Sequence, residues 1–245
     1  MAERAALVTG GSSGIGFAIA RLLGEEGYAV TIVARRPDKL ERAAGELRAA
    51  GIETHAVAAQ LAEEDEIVRA VAEHRERYGR LDALVNNAGF GYGAALDSIP
   101  TKRLDLQIAV NLRATVIATR EGIPMLREAG AEHRKALIVN MASIAGKAGQ
   151  PWLSVYGATK AAIINFTQAT QREVNGQGIQ ATAICPGFVD TAMTEFIKEQ
   201  VSADEMMRPE DVAEAVRFLL RTSPNCIVPE LVLMRPAETG AGIAL

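Results

Sequence analysis

The sequence predicts a single α/β domain in which helices cover both faces of a doubly wound, seven-stranded parallel sheet. Two observations carry this expectation. Short, almost unbroken apolar runs alternate with longer amphipathic stretches along all 245 residues, as they do when strands buried on both faces alternate with crossover helices. Nothing interrupts the alternation: the sequence has no internal repeat, low-complexity tract or Pro/Gly-rich linker, so one domain is expected over residues 1–245. A chain of this length buries roughly 70–75 % of its unfolded surface, enough for one large core.

Strands are expected at AALVT (5–9), YAVTIVA (28–34), IETHAVA (52–58), LDALVN (81–86), KALIVNM (135–141), GIQATAIC (178–185) and ELVLM (230–234), each a short run rich in apolar residues. Helices take the longer amphipathic stretches near 14–26, 38–50, 63–78, 101–129, 153–176 and 209–221. Only 186–208, PGFVDTAMTEFIKEQVSADEMMR, mixes apolar and polar residues with no firm period. After a strand of an α/β fold such a segment is a loop or lid, and a candidate for substrate contact.

Composition narrows the function classes. Net charge is −4 and no basic run stands free of acids, so neither nucleic acid nor an anionic membrane is an expected partner. MAERAALVTG lacks the charged and apolar regions of a secretory signal, and no 18-residue apolar window could span a bilayer; a cytoplasmic location is expected. Cys185 and Cys226 lie far apart without metal spacing, and buried thiols in a reducing cytoplasm are expected rather than a disulfide. His55, His74 and His133 are scattered, each expected on a solvated face, and no metal site is indicated.

The first strand runs into TGGSSGIG (9–16) and then into a helical pattern. Glycines allow a tight turn and close backbone approach, and a helix N-terminus offers unpaired N–H groups to a pyrophosphate. Gly10, Ser12, Ser13, Gly14, Ile15 and Gly16 are therefore expected to bind a nucleotide, although the spacing differs from G-x-G-x-x-G. About 20 residues beyond the last glycine an acid would hold a ribose 2′-hydroxyl; here stand Arg35 and Arg36. Guanidinium groups grip a 2′-phosphate by charge-assisted bonds, so NADP(H) is expected in preference to NAD(H).

Further along, LVNNAG (84–89) brings Asn87, Ala88 and Gly89 to the carboxyl edge of the sheet, and NMASIAG (140–146) brings Ser143 there. Each alone is compatible with a turn or a cap. SVYGATKAA (154–162) places Tyr156 and Lys160 one helical turn apart.

Taken together, TGGSSGIG, NNAG, Asn111, Ser143, YGATK and the Pro-Gly of ICPGFVDT resemble the short-chain dehydrogenase/reductase family in its single-domain, Rossmann-like form. That resemblance implies an NADP(H)-dependent oxidoreductase acting on CH–OH groups, exchanging a ketone or aldehyde with an alcohol. Tyr156 would be the general acid or base, with Lys160 lowering a phenol pKa that is ordinarily near ~10 and also holding ribose hydroxyls. Ser143 would donate to the substrate oxygen, and Asn111 would bind a water that completes a proton relay. Pro186, Gly187, Val189 and Thr191 would orient the nicotinamide, although Thr191 could equally cap a short lid helix. Gln60 and Leu61 stand near the adenine where many relatives have an Asp followed by Leu or Val.

The tail CIVPELVLMRPAETGAGIAL also departs from the Gly-rich ending of many relatives. A 3-oxoacyl-thioester (acyl-carrier-protein) reductase is the alternative within the family, and a catalytically silent NADP(H)-sensing protein the alternative outside it. Phe90, Tyr92, Trp152, Phe188, Met193 and Phe196 are expected around an apolar small-molecule substrate. Ile108, Val110, Leu112, Val116 and Ile117 exceed what one sheet face needs, and the resemblance implies that they help to build a homo-oligomer, a dimer or a tetramer.

Overall fold

A computed structural model describes residues 3–199 and 201–236; the end of the divergent tail lies outside the described residues. Seven strands, β1 (Ala5–Thr9), β2 (Ala29–Ala34), β3 (Thr54–Ala58), β4 (Ala83–Asn86), β5 (Ala136–Met141), β6 (Ile179–Pro186) and β7 (Glu230–Leu233), form one sheet. Their spatial order is β3-β2-β1-β4-β5-β6-β7 and every pairing is parallel. The helices are α1 (Gly14–Glu25), α2 (Pro37–Ala49), α3 (Glu64–Tyr78), α4 (Thr101–Gln107), α5 (Ala114–His133), α6 (Ser154–Glu173) and α7 (Pro209–Arg221).

Strand side chains alternate between faces, and the core divides accordingly. Ala6 and Val8 pack with Ile19 of α1, Leu40 of α2 and Val212 of α7 on one face. Leu7 points the other way, toward Ile67 of α3 and Ile117 and Leu126 of α5. Both faces being covered explains why β1, β2, β4, β5 and β6 are apolar almost without a break.

Where the order reverses, between β1 and β4, the chain leaves the two strands in opposite directions and opens a crevice at their carboxyl ends. Hydrogen bonds stitch its two lips. Thr9 Oγ1 accepts from the amides of Asn87 and Ala88 at 3.0 and 3.1 Å, and Asn87 Nδ2 donates to Thr9 O at 3.0 Å. The turn from β1 into α1 has a positive φ at Gly10 (70°) and at Gly14 (54°). At Gly16 the constraint is space, since a Cβ there would lie 2.3 Å from the carbonyl oxygen of Gly10.

Three expectations need correction. The helix expected over 101–129 is α4, a π-helical turn (Ile108–Arg113) and α5, and it continues to His133. Gly130 does not end it but lets it approach the chain entering β6, a Cβ at Gly130 meeting Gln177 O at 2.6 Å. Of the apolar residues singled out there, Ile117 is buried in the core, Val110 and Leu112 are partly buried, and Ile108 and Val116 stand exposed. Of the cysteines, Cys185 is buried and Cys226 exposed.

His74 is the third. It lies on α3 with 0 % exposure instead of on a solvated face. The Arg80 carbonyl, 2.9 Å from Nε2, can only accept, so Nε2 carries the proton and Nδ1 accepts from the Thr31 hydroxyl at 2.7 Å. Burial holds this imidazole neutral, with its pKa pushed down to about 4.

Two outcomes follow. The His74 value lies below its ordinary 6.5, so its stabilising contribution is complete above that pH and is lost as the pH falls toward about 4. Urea titrations across this window should show the parent losing roughly 3 kcal/mol relative to His74→Gln, which does not titrate. Gly16→Ala should lower stability by roughly 1–3 kcal/mol through overpacking. Gly45→Ala, on α2 where nothing lies within 4 Å, should instead raise it by roughly 0.5–1 kcal/mol; thermal unfolding of the two variants reads the contrast.

Candidate active site

The crevice is a cleft of about 830 Å³. At one end lies the turn between β1 and α1, with Gly10, Ser12, Ser13, Gly14, Ile15 and Gly16 all in its lining. Ser13 precedes α1 and its side chain makes no capping bond, so the first amides of α1 face the cleft without an internal acceptor. Arg35 and Arg36 line the same end from the close of β2. Both are exposed, and among the described residues neither guanidinium has an ion-pair or hydrogen-bond partner. Gln60 and Leu61, after β3, line it as well.

Asn87, Ala88 and Gly89 follow β4 and form part of the floor. A Cβ at Gly89 would stand 3.6 Å from both Asn111 Oδ1 and Lys160 Nζ, so the glycine lets three elements close on one point. The loop beyond is clasped by the helix stripe Arg103, Gln107 and Asn111. Asn111 Oδ1 accepts from Phe90 N at 2.7 Å and Asn111 Nδ2 donates to Phe90 O at 3.0 Å. Gln107 Oε1 accepts from Tyr92 N at 3.1 Å, and the Arg103 guanidinium stacks on both rings at 5.7 and 5.3 Å from their centroids.

Asn111 is buried and does not itself line the cleft. Its Nδ2 also donates to Thr159 Oγ1 at 3.1 Å, so its amide joins the loop to α6. It sits in the π-helical turn, a local unwinding frequent at functional sites. Gln107 escapes a reading by motif; the available signal is an uncharged polar residue one turn before Asn111 on the same helical stretch. Leu106 and Val110, which also line the cleft, were masked by their ordinary apolar character.

β5 delivers Ser143 and α6 delivers Tyr156 and Lys160 to the far side of the cleft. Ser143 Oγ accepts from Ala145 N at 3.1 Å, capping the short 3₁₀ turn Ile144–Gly146, and donates to Pro186 O at 3.4 Å. The cap and the cleft position coexist. Lys160 is buried, its Nζ donates to Met141 O at 2.8 Å, and it lies 5.6 Å from the centroid of the Tyr156 ring.

Burial dominates the electrostatics of this pair. Burial pushes the Tyr156 phenol above its ordinary value, opposed by hydrogen bonding with Ser143. Lys160 is pushed down to about 8, also by burial. Taking charge out of water disfavours the charged form of both groups, the phenolate and the ammonium alike.

Pro186, Gly187, Val189 and Thr191, after β6, close the cleft. Thr191 packs on the glycine turn, its Cγ2 lying 3.1 Å from where a Gly14 Cβ would stand, and its Oγ1 accepts from Met193 N at 3.3 Å. Phe90, Tyr92, Trp152, Phe188, Met193 and Phe196 all line the cleft. Among the described residues no cluster of His, Cys, Asp and Glu could hold a metal ion, and no helix is long and apolar enough to cross a membrane.

Comparison with known proteins agrees with this geometry. The 3-oxoacyl-[acyl-carrier-protein] reductase FabG of Staphylococcus epidermidis is 35% identical over 240 residues, covering 94% of this chain and 96% of that protein. An uncharacterized oxidoreductase of Staphylococcus aureus is 31% identical over 236 residues, covering 96% and 98%. Among solved structures, the Pseudomonas aeruginosa RhlG/NADP complex superposes with a TM-score of 0.86 at 32% identity, covering 96% of this chain and 95% of that one. Actinorhodin polyketide ketoreductase with NADPH gives 0.85 at 33% identity, covering 96% and 97%. The short chain dehydrogenase family model matches residues 4–202, and with a glycine-turned crevice at the sheet's switch point and Ser143, Tyr156 and Lys160 along its wall, the chain belongs to the short-chain dehydrogenase/reductase family.

Proposed function

We propose that this oxidoreductase uses NADP(H) to interconvert a ketone or aldehyde and an alcohol, with Tyr156 as proton donor in the reducing direction. The observation that carries the reading is the convergence, in one cleft, of the Ser143 and Tyr156 hydroxyls at one end and the glycine turn with two unpartnered arginines at the other. The cleft fits the cofactor: side chains at Gly10 or Gly16 would collide with Asn87 Nδ2 or Gly10 O, so bare backbone faces the position of a pyrophosphate. Arg35 and Arg36 would hold a 2′-phosphate, and Lys160 ribose hydroxyls. Solved relatives bear on the choice: several are described with NADP or NADPH, and the Brucella melitensis 3-ketoacyl-(acyl-carrier-protein) reductase with NADH.

When bound, NADPH supplies the hydride that becomes the new C–H bond of the alcohol. Tyr156 gives its proton to the carbonyl oxygen as charge grows there, and its phenolate regains a proton from solvent. A phenol is protonated at neutral pH, as a general acid must be before it gives up its proton. Ser143 shares the developing negative charge by hydrogen bonding, and Lys160 supplies nearby positive charge. Asn111 keeps α6 and the 90–92 loop in register and, as proposed, holds a relay water. The segment 186–208 serves as the lid over the reacting groups. Exposed Ile108 and Val116 support an oligomer built on that helix face.

A second reading, reduction of 3-oxoacyl thioesters, is favoured by the FabG relatives. An acetoacetyl thioester assayed beside simple ketones separates the two. Under either reading Tyr156→Phe should lower kcat by roughly 10²–10⁴-fold while NADPH binding, followed by fluorescence, stays within a few-fold. Unchanged turnover would sink the mechanism.

Arg35→Ala combined with Arg36→Ala should weaken NADPH by roughly ten-fold or more, the loss of charge-assisted bonds, and leave NADH nearly unaffected. The Lys160 value of about 8 lies below its ordinary 10.5, so the charged form is present below about 8 and is lost as pH rises through it. In the reducing direction kcat/KM should therefore fall above about pH 8, and a pH profile showing no such limb would remove Lys160's charge from the mechanism.

A further inference from the structure

We infer that Trp152 is a specificity-determining residue, held in a strained turn so that its indole meets a flat, uncharged apolar body on the carbonyl substrate. The inference rests on the proposed reaction for the word substrate, and on independent observations for the site. Leu153 N donates to Gln150 O at 3.3 Å, which closes a four-residue turn with Pro151 and Trp152 at its two corners. Proline fixes its own φ near the value wanted at the first corner, and a positive φ at the second selects glycine or asparagine. This chain instead places its single tryptophan there, at φ 51°.

Among the described residues Arg134 is the other non-glycine with positive φ, and it merely ends α5, an ordinary place for a left-handed residue. Trp152 has no such excuse. A bulky side chain at positive φ is an outlier, and outliers of this kind concentrate where ligands are clamped. Burial does not repay it either, for Trp152 is 56% exposed.

The surroundings say what the indole is exposed to. Trp152 lines the cleft with Met193 and Phe196, which are 45% and 60% exposed. Among the described residues, three large apolar side chains are left exposed at one mouth and form a wall there. Across the described residues, the cleft's charged lining side chains are Arg35, Arg36 and Lys160, all assigned to the cofactor end or the proton-transfer site. Among the described residues the lining at the substrate mouth is uncharged, the Arg103 guanidinium being stacked on the Phe90 and Tyr92 rings and that of Arg235 on Phe188.

The turn is also placed with care. Ala94 N donates to Trp152 O at 2.9 Å, tying it to the loop after β4, and a Cβ at Gly93 would come within 3.5 Å of the indole. Leu153 then leads straight into α6, whose Tyr156 lies one turn away. A ligand resting on the indole is thereby registered against the proton donor.

Because Trp152 is the only tryptophan, its emission reports this site with no need for turnover. The parent protein is titrated with naphthyl methyl ketone, with and without NADP⁺, and separately with butanone. Saturable quenching by the naphthyl ketone but not by butanone is expected; no saturable change with the naphthyl ketone overturns the proposal. Trp152→Asn should raise the KM for the naphthyl ketone at least ten-fold, change that for butanone less than two-fold, and melt at or above the parent temperature. Equal effects on both ketones, or a melting temperature lower by more than about 4 °C, would make the indole a packing element and overturn it as well. Should neither ketone be reduced with NADPH, the proposed reaction is at fault, and the quenching and melting results still decide the role of Trp152.

Discussion

The stitch between β1 and β4 is the constraint on which the cleft depends. Two parallel strands side by side send their chains apart at their carboxyl ends, and nothing in the sheet ladder itself fixes how far. Thr9 does this with one hydroxyl, which takes the amides of Asn87 and Ala88, while Asn87 returns a bond to Thr9 O. The same asparagine lies 2.8 Å from where a Gly10 side chain would begin and 2.4 Å from a Gly16 one. The glycine turn is thus shaped by the strand next door as much as by its own conformational freedom. Loss of the stitch would separate the glycine turn from the floor that carries Gly89.

Behind the stitch a second polar contact keeps the central strands in register toward the reacting groups. Asn86 Nδ2 donates to Asn140 Oδ1 at 2.8 Å and to Thr119 Oγ1 at 3.0 Å, and Asn140 Nδ2 donates to Thr167 Oγ1 at 2.9 Å. Buried amides are costly without partners and specifying with them. Here they bind β4, β5, α5 and α6 into one body, so the strand that ends beside Ser143 and the helix that carries Tyr156 keep their spacing. Only after this frame is fixed does burial set the charges, raising the phenol and lowering the ammonium.

Motifs with local causes were legible. The glycine turn, the paired arginines, the serine and the Tyr-Lys pair each need specific residue types at short spacing, and the cleft gathers all of them along its lining. The seven apolar runs read as strands because parallel sheets bury both faces. What the sequence hid depends on distant partners. His74 looks like any surface histidine on an acidic helix until Thr31, 43 residues away, is seen to meet it. Asn111 reads as a weak helix former, yet its hydrogen bonds reach 21 residues back and 48 forward. At Tyr156, charge at close range was visible in the spacing, whereas desolvation belongs to the assembled fold.

The stretch from Thr101 to His133 shows how one helix serves the core and the cleft together. Arg103, Gln107 and Asn111 stand four residues apart and grip the 90–92 loop, while Ile117 and Leu126 further along lie in the core under the sheet. A regular α-helix drifts only slowly between such faces. The π-helical turn at Ile108–Arg113 inserts the extra rotation where the two duties meet. Asn111 sits within that turn and bonds to Phe90 on one side and Thr159 of α6 on the other. The wall of the cleft and the helix bearing Tyr156 are therefore set by the same amide, and a shift in either moves both relative to the glycine turn.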